Sequence, residues 1–134
     1  MPDCLFCKII NGDIPSHKVY EDDRVVAFLD IHPVRIGHTL VVPKAHAEDL
    51  EGSSRDDLAD VMAAVGKLMP ALRSVTGAQG FNVTSNVCAV AGQAVFHTHV
   101  HIIPREHNDG LAMWPHQEVT QEELAQLAHR IASN

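Results

Sequence analysis

Apolar side chains recur every three or four residues between Ser54 and Gly77, which is the spacing of one helix face. Ser54 with Asp57 resembles a capping box, and Gly77 supplies a C-terminal stop. Pro70 lies inside this segment without the N–H that a helix interior uses, so we expect a kink or two shorter helices. The apolar positions of the predicted helix are Leu58, Val61, Met62, Val65, Leu68, Met69, Leu72 and Val75.

Shorter runs of β-branched and aromatic residues, bounded by turn residues, predict strands elsewhere. The predicted strands are 19–20 and 25–29, joined by a turn at 21–24, followed by 38–43, 81–86 and 95–104. Pro43 ends the third strand because proline cannot donate to a ladder. Thr120 and Glu123 open a final amphipathic helix after a loop over 107–117. These elements predict an α+β sandwich with a mainly antiparallel sheet.

Composition restricts the classes of partner. The chain has 134 residues, 46% of them hydrophobic, which is enough for one compact core and one domain. Its formal net charge of -7 argues against binding to a nucleic-acid backbone. No apolar run approaches the roughly 20 residues that span a bilayer, and the N-terminal residues lack the features of a signal peptide. We therefore expect a soluble cytoplasmic protein with no nucleic-acid or membrane partner.

The segment HTHVH, residues 97–101, places histidines at every second position. Because strand side chains alternate between faces, His97, His99 and His101 are expected on one exposed face, each about 6.5 to 7 Å from the next. The residues expected to pack on the long helix from the other face are Phe96, Thr98, Val100 and Ile102. A lone histidine would be interpreted as a polar surface residue. Three of them beside a small-residue loop, in which Gly92 lets backbone N–H groups approach an anion, indicate a phosphate site.

Three blocks of sequence resemble the histidine triad (HIT) family, in its Hint-type bacterial branch. They are CLFCKIINGDIP near the N-terminus, AFLDIHPVRIGHTLVVPKAH in the middle, and GFNVTSN with AGQAVFHTHVHIIPR further on. The resemblance implies a HIT-like α+β fold with a mainly antiparallel five-stranded sheet, a long helix and a C-terminal helix. It implies a single HIT domain over 1–134, with a core at about 4–105 and an extension with a helix at 106–134. It also implies a homodimer that joins two sheets.

The resemblance further implies distinct roles for four histidines. His99 would attack the α-phosphorus of a purine nucleotide resembling AMP and carry a transient nucleotidyl group that water removes. His101 would contact the phosphoryl oxygens, His38 would support the triad from a neighbouring strand, and His97 would orient the site or bind metal. Asp30 would accept hydrogen bonds from the ribose hydroxyls.

The other implied binding residues form an apolar slot for the base and a polar edge around ribose and phosphate. The slot consists of Phe6, Ile9, Phe28, Leu29 and Ile31, and the edge of Asn86 and Gln93, with backbone N–H groups near Gly92, Gln93 and Ala94 at the phosphate. Two positions depart from the family pattern. Ala94 stands where many relatives have a hydroxyl that can touch the phosphate or leaving group, and Cys88 stands where relatives often have glycine.

Cys4 and Cys7 form a Cys-x-x-Cys pair. From the residues alone the pair is open to three interpretations, which are a redox pair, two thiolate metal ligands or an incidental spacing. A thioredoxin-like motif follows a strand, and the pattern predicts none before Cys4. A tetrahedral structural zinc site needs two further ligands, and the resemblance supplies His46 and His97. One structural zinc ion, with no organic cofactor, is therefore the implied cofactor.

Several functions remain open from the sequence. The first is hydrolysis of nucleoside 5'-phosphoramidates or related nucleoside-monophosphate conjugates through His99, without a catalytic metal. The second is hydrolysis of dinucleoside polyphosphates by the same nucleophile, and the third is a zinc-stabilised nucleotide-binding module with little turnover. A metal-dependent enzyme that uses the histidine row as three ligands comes last, because collinear strand imidazoles rarely converge on one ion.

Overall fold

Five strands and three α-helices occur along residues 3–134, which are the residues that the computed structural model describes. The elements are α1 (Leu5–Ile10), β1 (Lys18–Glu21), β2 (Val25–Leu29), β3 (Thr39–Pro43), α2 (Arg55–Thr76), β4 (Gly80–Thr84), β5 (Val100–Arg105) and α3 (Gln121–Ala132). The strands form one antiparallel sheet in the order β1-β2-β3-β5-β4. The predicted α+β fold, with its five-stranded antiparallel sheet, long helix and C-terminal helix, is therefore confirmed. The first two residues of the predicted domain 1–134 lie outside the described residues. None of the helices in the described part of the chain is long and apolar enough to cross a membrane.

The two faces of the sheet are covered by different helices. The long helix α2 packs on one face, in a core that includes Val41 of β3. The neighbours of Val41 in β3, Leu40 and Val42, point to the opposite face, as strand alternation requires. There they pack with Phe6 and Ile9 of the short helix α1. The sequence pattern did not predict α1, because six residues with two buried positions are too few to define a helical period.

Helix α2 has the predicted ends and an unexpected continuity. The Ser54 hydroxyl accepts the Asp57 N–H at 3.1 Å, and Gly77 ends the helix in the left-handed conformation at φ 74°. The expectation of two shorter helices is wrong, since one helix of 22 residues includes Pro70. Pro70 and Gly66, whose carbonyl loses its helical donor, are both exposed, so water can satisfy that carbonyl.

The predicted strand 95–104 is wrong in its first half. β5 begins at Val100, and its ladder with β3 begins at the pair of Val41 and Val100. The Thr98 N–H instead donates to the Ala47 carbonyl at 2.9 Å. On the β3 side the chain reaches Pro43, which has no N–H with which to extend the ladder. The residues before Val100 therefore belong to a loop.

This difference corrects the predicted histidine row. His97 and His99 are 0% and 6% exposed and lie beneath α1, so they are not on an open sheet face. The rings of His99 and His101 have centroids 5.0 Å apart, closer than the spacing expected along one strand. Only His101 of the three lies in β5.

Of the four residues predicted to pack on the long helix, the two that lie in β5 do so and the two that precede it do not. Val100 and Ile102, which lie in β5, do pack against α2. Thr98 is buried, but its hydroxyl lies 2.6 Å from the Ser53 hydroxyl. Phe96 is 49% exposed and lines a cavity beside α1, because it precedes β5 and is not held to strand alternation.

The C-terminal extension is a loop followed by a helix, as the pattern predicted. The Thr120 hydroxyl accepts the Glu123 N–H at 3.1 Å and caps α3, all of which is exposed. At the start of the extension, two N–H groups of Arg105 donate to the Asp109 carboxylate at 2.7 and 3.1 Å. This ion pair lowers the pKa of Asp109 and fixes the turn that follows β5.

Candidate active site

A cavity of about 440 Å³ lies between α1, the end of β2 and the loop before β5. Phe6 and Phe28 form part of its apolar wall in a T-shaped contact with ring centroids 5.4 Å apart. The lining residues that the sequence analysis selected are Phe6, Ile9, Phe28, Leu29, Asp30, Ile31, Gly92, Ala94, His99 and His101. Those it did not select are Leu5, Ile14, Pro15, Ser16, His32, Leu40 and Val95. Leu5, Ile14 and Pro15 belong to the N-terminal block CLFCKIINGDIP that resembles the family, so this block was the sequence signal that could have identified them as lining residues.

The His99 ring is held in one tautomer. Its Nδ1 lies 2.6 Å from the His97 carbonyl oxygen, so Nδ1–H donates and Nε2 carries the lone pair. The edge of Phe6 packs against the ring, with centroids 5.0 Å apart and planes at 89°. Burial lowers the pKa of His99, although the bond to the His97 carbonyl opposes this shift. A neutral imidazole with an available Nε2 is the form in which histidine acts as a nucleophile.

His38 and His101 form a relay with a defined direction. The Val34 N–H donates to Nδ1 of His38 at 3.1 Å, so Nε2 of His38 carries the proton. That Nε2 lies 2.9 Å from Nδ1 of His101 and donates to it. The remaining proton of a neutral His101 is therefore on its Nε2. His101 also lines the cavity, so this N–H is available to hydrogen-bond a phosphoryl oxygen.

The same geometry argues against a metal ion at the relay. Nitrogen or oxygen atoms of Asp30, His38 and His101 lie within 4.8 Å of one another. However, both nitrogens of His38 are already used, one by the Val34 N–H and the other by His101. Binding a metal through Nε2 would require His38 to become an imidazolate. The Asp30 carboxylate, 3.6 Å from His38 Nε2, instead adds negative charge beside the relay.

Titration of His101 offers a direct test of this arrangement. Burial, together with the neighbouring His99 and His38, lowers the pKa of His101 to about 4. Because the shift is downward, His101 is expected to stay neutral from neutral pH down to well below 6.5. NMR titration of labelled imidazoles, assigned by His101→Asn, measures this pKa. Asp30→Asn should lower it again, since the Asp30 charge raises it, and a His101 pKa at or above 6.5 would contradict the relay.

Gln93 stabilises the loop before β5 through its side chain and does not line the cavity, where the resemblance had placed it. Its Oε1 accepts the Cys88 N–H at 2.9 Å, and its Nε2 donates to the Glu48 carbonyl at 2.6 Å. Its own N–H donates to the Cys88 carbonyl at 3.2 Å. Within residues 3–134 the N–H of Ala94 has no acceptor, and Ala94 lines the cavity. The Gly92 N–H donates to the Ala89 carbonyl at 3.0 Å, so of the three predicted backbone donors Ala94 is the one available to a phosphate.

Asn86 also lies outside the main cavity. It lines a second cavity of about 440 Å³ with His38, Arg105 and Trp114 of the extension. His101 lines both cavities and so stands between them. Gly92 has a positive φ of 98°, which side-chain-bearing residues rarely adopt. A Cβ at this position would also lie 3.2 Å from the Asn86 amide nitrogen. Both observations explain why glycine is required at position 92.

Cys88 occupies a backbone conformation that glycine prefers. Its φ of 73° and ψ of 154° place a β-carbon in a strained region, at a cost of about 1 to 3 kcal/mol. Cys88→Gly should therefore raise the free energy of unfolding by about 1 kcal/mol, after the flexibility of glycine in the unfolded chain is counted. Urea unfolding measures the effect, and Cys88→Ala, which keeps the β-carbon, should give no gain. A destabilised glycine variant would contradict this explanation.

Four sulfur and nitrogen donors converge beside the nucleophile. Cys4 Sγ is 3.3 Å from His97 Nδ1, Cys7 Sγ is 3.5 Å from His46 Nδ1, and the two Nδ1 atoms are 3.1 Å apart. The four donors all lie within 4.8 Å of one another. Zinc bonds of about 2.0 Å to nitrogen and 2.3 Å to sulfur give tetrahedral edges of about 3.3 to 3.8 Å. The donor set therefore fits a tetrahedral ion of this kind.

One hydrogen bond and one pKa shift determine how these residues would act as ligands. His97 Nε2 lies 2.8 Å from the Pro43 carbonyl oxygen and donates to it, which leaves Nδ1 unprotonated toward the cluster. Burial and the neighbouring Cys4 raise the pKa of the Cys7 thiol, an unfavourable effect that a bound cation offsets by stabilising the thiolate. His97 links the cluster to the nucleophile, because its side chain is one of the four donors and its carbonyl oxygen accepts the His99 Nδ1–H.

Comparisons with known proteins agree with this geometry. Residues 11–108 match the HIT domain family. The adenosine 5'-monophosphoramidase hnt1 of Schizosaccharomyces pombe is 40% identical over 132 residues, covering 97% of this chain and 96% of that protein. The adenylylsulfatase HINT3 of Arabidopsis thaliana is 40% identical over 122 residues, covering 91% of this chain and 61% of that protein.

The fold similarity extends into the C-terminal extension. The crystal structure of SMU.412c from Streptococcus mutans UA159 superposes with a TM-score of 0.94 at 45% sequence identity. The alignment covers 99% of this chain and 85% of that one. The loop and helix after β5 are therefore part of the shared structure.

Proposed function

Since the chain belongs to the HIT domain family, we propose that it is a nucleotide hydrolase that cleaves nucleoside 5'-phosphoramidates through a covalent intermediate on His99. The observation that supports this most is the fixed tautomer of His99, whose Nδ1–H is bound by the His97 carbonyl while Nε2 keeps its lone pair. Relatives that carry hydrolase names, including the phosphoramidase from fission yeast, support the reaction class.

The proposed reaction has two displacements at phosphorus. In the first, His99 Nε2 forms a bond to the α-phosphorus and the bond from phosphorus to the leaving amine breaks. In the second, water attacks the nucleotidyl-imidazole and releases the nucleoside monophosphate. The His101 Nε2–H and the Ala94 N–H would stabilise the charge that grows on the phosphoryl oxygens in both steps.

The cavity supports a nucleoside monophosphate as the shared part of the substrate. A volume of about 440 Å³ with mostly apolar walls lies in the range of small-molecule sites. We propose that Phe6, Ile9 and Phe28 hold a purine base, and that Asp30 accepts hydrogen bonds from the ribose. A leaving amine departs from phosphorus only once its nitrogen is protonated, and Ala94 supplies no hydroxyl for this purpose. We propose that the proton comes from solvent.

Steady-state hydrolysis of three adenosine substrates tests this choice. Adenosine 5'-phosphoramidate, a diadenosine polyphosphate and adenylyl sulfate share the adenosine 5'-phosphoryl group and differ in the leaving group. The proposal predicts the highest kcat/KM for the phosphoramidate. Preference for the polyphosphate or the sulfate would keep the nucleophile and change the substrate class. Binding of AMP without any turnover would replace the enzyme by a nucleotide-binding module.

We further propose that Cys4, Cys7, His46 and His97 hold a structural zinc ion. The ion would have four protein ligands and no open position for substrate. When bound, it would tie the N-terminal residues to the segment that carries His99. The chemistry at phosphorus would remain with the imidazoles.

A homodimer is the proposed assembly. β4 is an edge strand of the described sheet, and its five residues are only half-buried. On α2, Met62 and Val75 are exposed apolar residues that a second copy could cover. Sedimentation velocity should give twice the chain mass, and a monomer at micromolar concentration would contradict the proposal.

A further inference from the structure

We propose that Cys4 and Cys7 form a thiol switch, in which oxidation by a peroxide joins them in a disulfide and loosens α1 from the nucleotide cavity. This assigns a modification site to the two cysteines that are also proposed to hold the zinc ion. The thiol chemistry stands independently of the proposed hydrolase function. Only its consequence for turnover rests on that function.

The two thiols are placed so that they can pair. Cys4 is the N-cap of α1, and its Sγ accepts the Cys7 N–H at 3.3 Å. The Lys8 N–H donates to the Cys4 carbonyl at 3.1 Å, so the intervening residues form one helical turn. Both Sγ atoms belong to the donor cluster, whose four donor atoms all lie within 4.8 Å of one another. Residues three apart in a first helical turn have the separation that a disulfide requires, after rotation of the side chains.

A small oxidant can reach Cys4, one thiol of this pair. A cavity of about 460 Å³ is lined by Cys4 and His46, together with Leu5, Val95 and Phe96. The cavity is far larger than a peroxide molecule, and Cys4 itself is only half-buried. Cys4 is therefore the thiol of the pair that a peroxide in this cavity meets first, whereas structural cysteines that resist oxidation are buried without such a cavity beside them.

The oxidation balances with one peroxide molecule. The Cys4 thiolate attacks a peroxide oxygen and breaks the O–O bond, giving a sulfenic acid and hydroxide. The Cys7 thiolate then attacks the sulfenic sulfur, forms the S–S bond and releases a second hydroxide. The two sulfurs lose two electrons in total and the peroxide gains them. Disulfide formation removes two of the four metal donors, so a bound ion is released.

Helix α1 transmits this change to the nucleotide cavity. Its first turn carries Cys7, and the same six residues carry Phe6 and Ile9, which line the cavity wall. Phe6 also packs edge-on against His99, with ring centroids 5.0 Å apart. When the cluster is lost, α1 keeps its apolar contacts with the sheet and the contact of Phe6 with His99, and it loses the contacts that Cys4 and Cys7 make with His97 and His46. The expected result is weaker binding of the nucleotide, with the His99 main-chain contact to His97 retained.

The experiment treats the purified, metal-containing protein with hydrogen peroxide in the absence of substrate. Peptide mapping and intact mass should show a Cys4–Cys7 disulfide, with two hydrogen atoms lost and zinc released in equal proportion. Dithiothreitol with added zinc should reverse both changes. KM for the phosphoramidate should rise roughly tenfold on oxidation and return on reduction. Cys88→Ser, which keeps the pair, is the matched control and should respond as the wild type does.

Several results would overturn the switch. They are oxidation confined to Cys88, a sulfinic acid on Cys4 without a disulfide, or a disulfide that leaves the zinc bound. A disulfide with unchanged KM would overturn the link through α1. Cys7→Ser should lose the disulfide, and if it does not fold, mapping of the wild-type protein still decides the question. A reduced protein without turnover would count against the hydrolase proposal alone, since the thiol measurements need no substrate.

Discussion

Replacement of His99 by asparagine is expected to lower kcat/KM for adenosine 5'-phosphoramidate by roughly 10⁴-fold or more, because the nucleophile is removed. Asparagine fills a similar volume, and its amide can still donate to the His97 carbonyl that now holds His99 Nδ1. The phosphate contacts from His101 and Ala94 would remain. AMP should therefore bind the variant with an affinity within a few-fold of that of the wild type.

Two measurements make this loss interpretable. Circular dichroism and thermal unfolding check that the His99→Asn variant folds, and calorimetric titration with AMP checks that the cavity is intact. His129→Asn, in the exposed helix α3, is the matched histidine control and should keep full activity. A folded His99→Asn protein with more than a tenth of wild-type activity would exclude His99 as the nucleophile.

The second large effect is expected at the donor cluster. Cys4→Ser should release about one zinc ion per chain and lower the melting temperature by roughly 10 °C, because metal binding contributes directly to folding free energy. The loss removes the tie between the N-terminal residues and the segment of His97. The serine hydroxyl can still accept the Cys7 N–H as the N-cap of α1, so the expected shift reports the metal ligand and not the cap. Differential scanning calorimetry with metal analysis measures both effects together.

Cys88→Ser is the control for this substitution, since Cys88 is exposed and lies outside the cluster. It should leave both the metal content and the melting temperature close to those of the wild type. Chelator treatment of the wild-type protein should reproduce the Cys4→Ser shift. Wild-type protein that is purified without chelator and carries no metal would refute the zinc proposal.

The fold was predictable wherever local periodicity and packing agree. Ser54, Asp57 and Gly77 bound α2 as their chemistry predicts, and β2 is a run of buried residues ended by a turn. Pro70 does not divide α2, because it lies on the exposed side of the helix, where water can replace the missing hydrogen bond. The sheet order could not be read from periodicity, since pairing of β3 with β5 joins segments far apart in the chain.

The candidate site was predictable by residue type and not by geometry. The alternation in HTHVH suggests a strand, but the Thr98 N–H bonds to Ala47 and the ladder stops at Val100. Tertiary contacts thus fold His97 and His99 beneath α1, a helix that the pattern did not reveal. The tautomers, which decide the chemistry, depend on carbonyl and N–H groups that no sequence pattern specifies.

Gln93 is a second case in which the sequence identified a residue but not its contacts. The family resemblance implied a ligand contact for its side chain, but this side chain bonds to Cys88 and Glu48 within the fold. Polar residues in such loops have two uses, contact with a ligand and satisfaction of buried backbone groups. Sequence alone cannot distinguish these uses, because both favour an amide.

The stereochemical course at phosphorus tests the central claim most directly. An adenosine 5'-phosphoramidothioate of one configuration is hydrolysed in ¹⁸O-labelled water, and the configuration of the product is determined. Two in-line displacements, first by His99 and then by water, each invert phosphorus, so the account predicts overall retention. Overall inversion would show that water attacks directly, and would contradict a nucleotidyl-histidine intermediate.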